Sequence, residues 1–121
     1  MKILVWNVRG LNHLLKQREV IGRINRIHSN IVCLLETRVK QNKMQRILNK
    51  RFLDWQSIHN YDQAYNGRIW FLWKEPIKVS LISVTNQSIT YKIYEDTKQF
   101  YFSAIYGSND SMGKRRLWSH L

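Results

Sequence analysis

Apolar residues follow two different patterns in the first part of the chain. Residues 3–6 and 31–35 are continuous apolar runs, which are typical of strands buried on both faces. Residues 13–28 and 42–52 place apolar side chains near a 3.6-residue spacing, which predicts two amphipathic helices. Because strand, helix and strand follow one another, the two apolar runs are expected to form a parallel pair joined by a right-handed crossover.

From residue 55 onward the chain changes to short segments with strand composition, separated by turn residues. Two of these segments, on either side of residues 96–97, predict a β-hairpin. Residues 113–121 predict a last helix, because their leucine and tryptophan side chains would form one apolar face. The predicted strands cover residues 56–60, 68–73, 77–84, 88–94 and 100–106.

These elements indicate one α/β domain over residues 1–121, in which a mixed, mostly antiparallel sheet carries helices on one face. The chain stops within the last helix pattern without a stop signal, so we expect the domain to be incomplete. The second face of the sheet, with side chains such as Ile69, Phe71 and Ile105, would then be uncovered. An uncovered apolar face promotes association, so we expect the chain to self-associate.

The net charge of +12 gives the first indication of a partner. Such an excess of Lys and Arg indicates a polyanion, with nucleic acid favoured over an anionic membrane surface. No apolar run approaches the roughly 18 residues of a membrane-spanning helix. Asn7 and Arg9 interrupt the N-terminal apolar run, so it lacks the core of a secretory signal. We therefore expect an intracellular protein without a membrane partner.

Cys33 is the only cysteine, which excludes an internal disulfide and a cysteine zinc cluster.

Polar side chains follow both apolar runs, at the points where the predicted strands stop. Asn7 ends the first run and Glu36 follows the second. Neighbouring parallel strands end at the same edge of a sheet, so the two side chains are expected to lie close together. A carboxylate beside a buried strand is costly unless it reaches solvent or meets a cation. An amide and a carboxylate suit Mg²⁺, whereas the alternative for Asn7 is a simple turn residue.

The segment after Glu36 is strongly basic, with six cations and one acid before Trp55. Such a segment is ordinarily a solvated helix face. Because it directly follows the candidate metal residue, contact with nucleic-acid phosphates is an equally supported interpretation. The six cations are Arg38, Lys40, Lys43, Arg46, Lys50 and Arg51.

The pieces WNVRGLN, IVCLLET, NGRIWFLW, FYFSAIYGSND and RRLW occur in this order along the chain. As an ordered set they resemble the endonuclease/exonuclease/phosphatase superfamily. Within that superfamily the chain is most similar to the apurinic/apyrimidinic-endonuclease-like domain of plant LINE-type (non-LTR) retrotransposons. The resemblance implies half of a four-layer α/β sandwich, truncated before its second sheet. It also implies a Mg²⁺-dependent endonuclease acting on DNA, which would work in the nucleus.

The resemblance further implies a role for individual residues. Asn7 and Glu36 would hold Mg²⁺ or Mn²⁺, and weakly, because Mg²⁺ keeps most of its waters when only one or two carboxylates bind it. Tyr106 would donate a hydrogen bond to the phosphate, and Asn109 would lie beside it. The implied contacts to the nucleic-acid backbone are Arg115 and Arg116, in addition to Arg38, Lys40, Lys43 and Arg46.

The family's Asp-x-Asn and Ser-Asp-His segments, which complete its active site, do not occur in this sequence. We therefore expect little or no catalysis from the chain alone, because groups that act as a unit lose nearly all activity together. The alternative is a non-catalytic basic module that binds nucleic acid. A third interpretation, an enzyme for lipid or inositol phosphates, is disfavoured by the basic charge and by WNVRGLN. In the alternative module the stacking surfaces for bases would be Trp55, Tyr61, Tyr65 and Trp70.

Overall fold

The computed structural model describes residues 2–59, 61, 69–85 and 88–106, together with the backbone of residues 115–120. Side chains are described up to residue 105. Within these residues no helix is long and apolar enough to cross a membrane. The elements in chain order are β1 (Ile3–Asn7), α1 (Leu14–Ile27), β2 (Ile31–Leu35), α2 (Gln41–Arg51), β3 (Gln56–His59), β4 (Ile69–Trp73), β5 (Lys78–Val84), β6 (Ser88–Glu95), β7 (Lys98–Tyr106) and β8 (Arg115–His120).

The first sheet has the strand order β1-β2-β4-β3 and is mixed. Strands β1 and β2 are parallel, in a register that runs from Ile3 opposite Ile31 to Asn7 opposite Leu35. Strand β4 is antiparallel to β2 on its other side. Every residue of β2 is buried, as its unbroken apolar run predicted. The predicted strand, helix and parallel strand are therefore confirmed.

Helices α1 and α2 cover one face of this sheet. Val20 and Ile24 of α1 and Ile47 of α2 belong to the same core cluster as Val32 and Trp70 of the sheet. Most basic residues of both helices are exposed, because the apolar stripe of each helix occupies the sheet side. Arg51 of α2 is half-buried and donates a 3.1 Å hydrogen bond from Nε to Gln17 Oε1 of α1. The α/β class, with a mixed sheet and helices on one face, is thus confirmed.

The expectation of a single sheet is wrong, because β5 to β8 form a second, antiparallel sheet in sequential order. Its inner face packs on the first sheet, and the Phe71 and Tyr91 rings stack with centroids 3.5 Å apart. The side chains between the two sheets form a second core cluster. Ile69 and Phe71, which were expected on an uncovered face, are fully buried in it. Alternate residues of β6 are buried, as in a sheet with one face in the core. The basis for self-association through an uncovered face is therefore absent for these residues.

The chain between Arg115 and His120 is a strand and not the predicted helix. Strand β8 pairs with β7, from Tyr101 opposite His120 to Tyr106 opposite Arg115. A short apolar run does not distinguish helix from strand by periodicity alone. Here the decisive factor is long-range: pairing with β7 satisfies backbone groups that an isolated edge would leave without partners.

Candidate metal and phosphate site

Asn7 and Glu36 lie at adjacent strand ends, as the sequence predicted. Asn7 is the last residue of β1 and pairs with Leu35, the last residue of β2. The Val8 amide continues this pairing and donates a 2.8 Å hydrogen bond to the Leu35 carbonyl oxygen. Glu36 follows directly, so the parallel register brings an amide side chain and a carboxylate to the same edge of the first sheet.

The Glu36 carboxylate is buried, yet two arginines face it. Its side chain is only 4% exposed, whereas Arg9 and Arg38 are 59% and 64% exposed. The Arg9 Nε lies 3.4 Å from Oε2 of Glu36, and the Arg9 Nη2 lies 3.4 Å from Oε1. Arg38 Nη2 is 4.0 Å from Oε1. Charge-assisted N–H···O bonds usually measure about 2.7–2.9 Å, so both arginine contacts are long.

The Asn7 side chain supplies a second feature of a metal site. Its Oδ1 atom is buried and has no hydrogen-bond partner within the described part of the chain. A buried acceptor without a hydrogen-bond partner destabilises the folded protein by about 1–3 kcal/mol, so such atoms are rare and are often explained by a bound ion or by a functional role. Amide and carboxylate oxygens are the hard ligands that Mg²⁺ and Mn²⁺ accept. The residues at this edge therefore fit a divalent ion.

The described residues contain no group of three or more His, Cys, Asp or Glu side chains that could enclose a metal ion. A site made of protein carboxylates and imidazoles is therefore excluded for this part of the chain. An ion at this edge would have one carboxylate, Glu36, and an amide oxygen from Asn7. That composition agrees with an ion that keeps several waters and binds weakly.

The loop that follows Glu36 has an unusual backbone. Glu36 and Arg38 both adopt left-handed conformations, with φ values of 54° and 56°. Non-glycine residues adopt this region only when the surroundings hold them there. Thr37 and Val39 are fully buried and alternate with exposed Arg38 and Lys40. The left-handed turns thus bury the carboxylate while directing the cations outward.

Two side chains, Tyr61 and Asn12, donate hydrogen bonds to carbonyl oxygens of this loop. The Tyr61 hydroxyl donates a 2.6 Å hydrogen bond to the Val39 carbonyl oxygen and accepts one of 3.1 Å from Trp70 Nε1. Asn12 Nδ2 donates a 3.3 Å bond to the Arg38 carbonyl oxygen. Burial raises the pKa of the Tyr61 hydroxyl, so it stays protonated and remains a donor. Residues from before and after the loop in the chain, Asn12 and Tyr61, thus hold it in place, and the sequence pattern did not predict either contact.

The predicted phosphate contacts begin in the same loop. Arg38 and Lys40 are exposed, and Lys40 is the N-cap residue of α2. Lys43 and Arg46 are exposed on α2, whose first turn has no acidic residue. The partial positive charge at the N-terminus of α2 therefore adds to the positive potential that these cations create near the Glu36 loop.

The remaining predicted site residues are described only in part. Tyr106 is the last residue of β7, and Arg115 and Arg116 are the first two residues of β8. Arg115 pairs with Tyr106 in the β7–β8 ladder, so the two arginines lie in a strand and not in the predicted helix. Asn109 lies outside the described residues.

Two of the aromatic residues proposed for base stacking are buried. Trp70 is fully buried and Tyr61 nearly so, which removes both from a surface role. Trp55 is half-buried, packs edge-on against Phe52 and has the Lys74 ammonium 5.0 Å from its ring centroid. Tyr65 lies outside the described residues. Sequence reasoning also missed Arg9, although its position two residues after Asn7 was a usable signal.

Comparison with known proteins gives similarity in fold. No family model matches the chain. Over 81 residues the chain is 26% identical to an exodeoxyribonuclease of Bacillus subtilis (strain 168). The aligned region covers 65% of this chain and 31% of that protein. A solved structure of D. rerio TDP2, humanized by 14 mutations, matches with a TM-score of 0.67 at 16% identity. D. rerio TDP2 complexed with a single-strand DNA product matches with a TM-score of 0.58 at 18% identity.

The chain spans about a third of the curated relative and about half of the solved chain. The humanized TDP2 match covers 91% of this chain and 51% of the other, and the DNA complex covers 82% and 42%. These structural matches show that the chain has the fold of the corresponding part of TDP2. Together with the exodeoxyribonuclease they support the superfamily resemblance of the sequence motifs.

Proposed function

We propose that the chain is the metal-binding part of a Mg²⁺-dependent phosphodiesterase of the endonuclease/exonuclease/phosphatase superfamily that acts on DNA. Its motifs favour the endonuclease domain of LINE-type retrotransposons. The observation that carries the proposal is the pair of Asn7 and Glu36 on adjacent parallel strands, with a buried Asn7 oxygen that has no described partner. The similarity to an exodeoxyribonuclease and to TDP2 with a DNA product supports DNA as the substrate class.

In this proposal Glu36 and Asn7 hold the divalent ion at the edge of the first sheet. The chemistry that such an ion would supply there is polarisation of a phosphate oxygen and neutralisation of developing negative charge. Arg38 and Lys40, exposed in the same loop, attract and orient the phosphate. Tyr106 is proposed to donate a hydrogen bond to the phosphate, and Asn109 is proposed to lie beside it. Arg115 and Arg116 are proposed to contact the backbone, together with Lys43 and Arg46.

We propose that these 121 residues bind metal and DNA but do not hydrolyse DNA alone. Hydrolysis also needs a base for the attacking water and an acid for the leaving oxygen. The superfamily supplies these groups from Asp-x-Asn and Ser-Asp-His segments, and the sequence contains neither.

The second candidate function is a basic module that binds nucleic acid without metal chemistry. The net charge of +12 and the exposed cations of α2 favour it. The burial of Tyr61 and Trp70 weakens its stacking component. The two functions differ in one measurable property, which is metal binding that depends on Glu36.

A Mn²⁺ titration followed by electron paramagnetic resonance separates them. We expect weak binding by the wild type, with a Kd on the order of millimolar. Glu36→Gln should lose this binding, because it removes the carboxylate charge at nearly constant shape. Glu19→Gln is the matched control, since Glu19 is an exposed carboxylate on α1 that pairs with Lys16. Equal Mn²⁺ binding by the wild type and Glu36→Gln would rule out the metal function.

A further inference from the structure

Arg9 faces the Glu36 carboxylate at the edge of the first sheet where the proposed metal ion would bind. Its Nε and Nη2 atoms face the two oxygens of Glu36, each at 3.4 Å. This is the side-by-side geometry of an arginine and a carboxylate, stretched beyond its usual length. A buried carboxylate is costly unless cations and hydrogen bonds compensate it, so Arg9 contributes to stabilising the charged Glu36.

The Arg9 side chain is held by little else. It is 59% exposed, and Glu36 provides its only hydrogen bonds within the described residues. The exposed guanidinium can turn into solvent, and a doubly charged ion would replace its charge beside Glu36, so the buried carboxylate would not be left uncompensated. Glu36, by contrast, is fixed by its place after β2 and by the Tyr61 contact to the loop.

From this geometry we infer that Arg9 is a resident counter-cation of Glu36, which a divalent ion displaces and which then binds a phosphate oxygen of the nucleic acid. The inference rests on the proposed metal site. A released guanidinium at the same edge suits a phosphate, because its planar fork binds two oxygens at once. Metal and nucleic acid would then each favour the state in which Arg9 leaves Glu36, so their binding is coupled.

Arg38 is a weaker candidate for this role. A single nitrogen of Arg38 approaches Glu36, at 4.0 Å, and its carbonyl is held by Asn12. Arg9 faces both carboxylate oxygens and therefore competes with a metal for both. The two arginines can be distinguished by adding Arg38→Gln to the titrations below, because this variant should change the coupling between metal and DNA less than Arg9→Gln does.

The test uses the full chain with Arg9→Gln, Arg9→Lys and the control Arg23→Gln. Arg23 lies on α1 with its guanidinium 4.4 Å from the Trp6 ring centroid, so the control removes the same charge elsewhere. Without DNA, Arg9→Gln should raise Mn²⁺ affinity roughly three- to tenfold, since the competing cation is gone. Arg9→Lys should fall between wild type and Arg9→Gln, and Arg23→Gln should match wild type.

A second titration measures the coupling. In the presence of a saturating short DNA duplex, the wild type should bind Mn²⁺ more tightly than it does without DNA, because the duplex takes up Arg9. This DNA-induced gain in Mn²⁺ affinity should be smaller in Arg9→Gln than in the wild type, and it should be unchanged in Arg23→Gln. A purely electrostatic effect of Arg9 on the metal would leave the gain unchanged.

The outcomes separate the inference from the proposed function. If Mn²⁺ binding depends on Glu36 but Arg9→Gln leaves it unchanged or weaker, the inference fails and the metal site stands. If Mn²⁺ binding is independent of Glu36, both fail. If Arg9→Gln tightens Mn²⁺ binding without changing the DNA-induced gain, Arg9 is a counter-cation only and the phosphate role is overturned. Circular dichroism of each variant verifies the fold, and Arg9→Lys provides the decision if Arg9→Gln does not fold.

Discussion

The Tyr61 hydroxyl donates a 2.6 Å hydrogen bond to the carbonyl oxygen of Val39, 22 residues earlier in the chain. The same hydroxyl accepts a hydrogen bond from Trp70 Nε1. Val39 lies three residues after Glu36, in the loop with two left-handed residues. Tyr61 thereby links the loop of the candidate metal residue to strand β4.

Replacing Tyr61 by Phe should lower both stability and metal affinity. The change leaves the Val39 carbonyl and the Trp70 indole N–H without this partner, so we expect a loss of about 1–3 kcal/mol in the free energy of unfolding. The loop would also hold Glu36 less firmly, so Mn²⁺ affinity should decrease. Urea denaturation and Mn²⁺ titration measure the two effects. Tyr101→Phe, at a 43% exposed position on β7, is the control and should change neither quantity.

Replacing Asn7 by Leu should separate stability from metal binding. The variant removes a buried oxygen that has no described partner, so the metal-free protein should be as stable as the wild type or more stable. Mn²⁺ affinity should nevertheless fall, because the amide ligand is gone. Urea denaturation in the presence of EDTA gives the first quantity. A large loss of metal-free stability would show that Asn7 has a structural role.

Binding of DNA should depend steeply on salt and little on base sequence, because the proposed contacts join Lys and Arg to phosphates. Replacing Arg38, Lys40, Lys43 and Arg46 together by Gln should flatten the slope of log K against log[salt]. Each lost phosphate contact reduces the slope by about 0.9. Fluorescence anisotropy at several salt concentrations measures this slope.

The control for that experiment removes the same charge from other exposed positions of the chain. If it flattens the slope as much as the loop and α2 variant does, binding depends on net charge and not on this surface. The control positions are Arg18, Arg26, Lys78 and Lys98.

Cys33 should be unreactive in the folded protein and should make stability depend on alkaline pH. The thiol is fully buried in β2, and burial raises its pKa to about 12 from the ordinary 9.0. In the unfolded chain the thiol ionises near pH 9, whereas in the folded chain it stays protonated. The resulting stabilisation is complete below pH 9 and is lost as pH rises toward 12.

Two measurements check this behaviour. A thiol reagent at pH 8 should modify Cys33 only after denaturant is added. Urea midpoints between pH 8 and pH 11 should fall less steeply for Cys33→Ala than for the wild type. The Tyr91 hydroxyl contributes in the same direction, because burial raises its pKa as well, so part of the decline should persist in the variant. Rapid labelling of the folded wild type would contradict the buried position.

The sequence was sufficient for features that depend on local pattern. Unbroken apolar runs predicted β1 and β2, and 3.6-residue spacing predicted α1 and α2 to within two residues of their ends. The common edge of Asn7 and Glu36 followed from the parallel register. These features are encoded in short segments, because each pattern is set by the faces that one element buries.

Features that depend on distant partners were not predictable in this way. The strand at Arg115–His120 forms because β7 offers an edge, and the six-residue pattern alone is ambiguous. Strands β5 to β8 form a sheet of their own and do not extend the first sheet. The inner side chains of β6, such as Tyr91, pack face to face on side chains of the first sheet, such as Phe71. The contacts of Tyr61 to Val39 and of Arg9 to Glu36 join residues 22 and 27 positions apart.

The burial of β2 on both faces has a consequence for the motions of the site. Its amides are hydrogen-bonded between β1 and β4 and shielded by both core clusters, so they should exchange with solvent only through global unfolding. Glu36 is attached directly to this slowly exchanging strand, whereas Arg9 and Arg38 extend into solvent. The anionic group would therefore keep its place over the lifetime of the folded state, while its cationic neighbours rearrange on the nanosecond timescale of surface side chains.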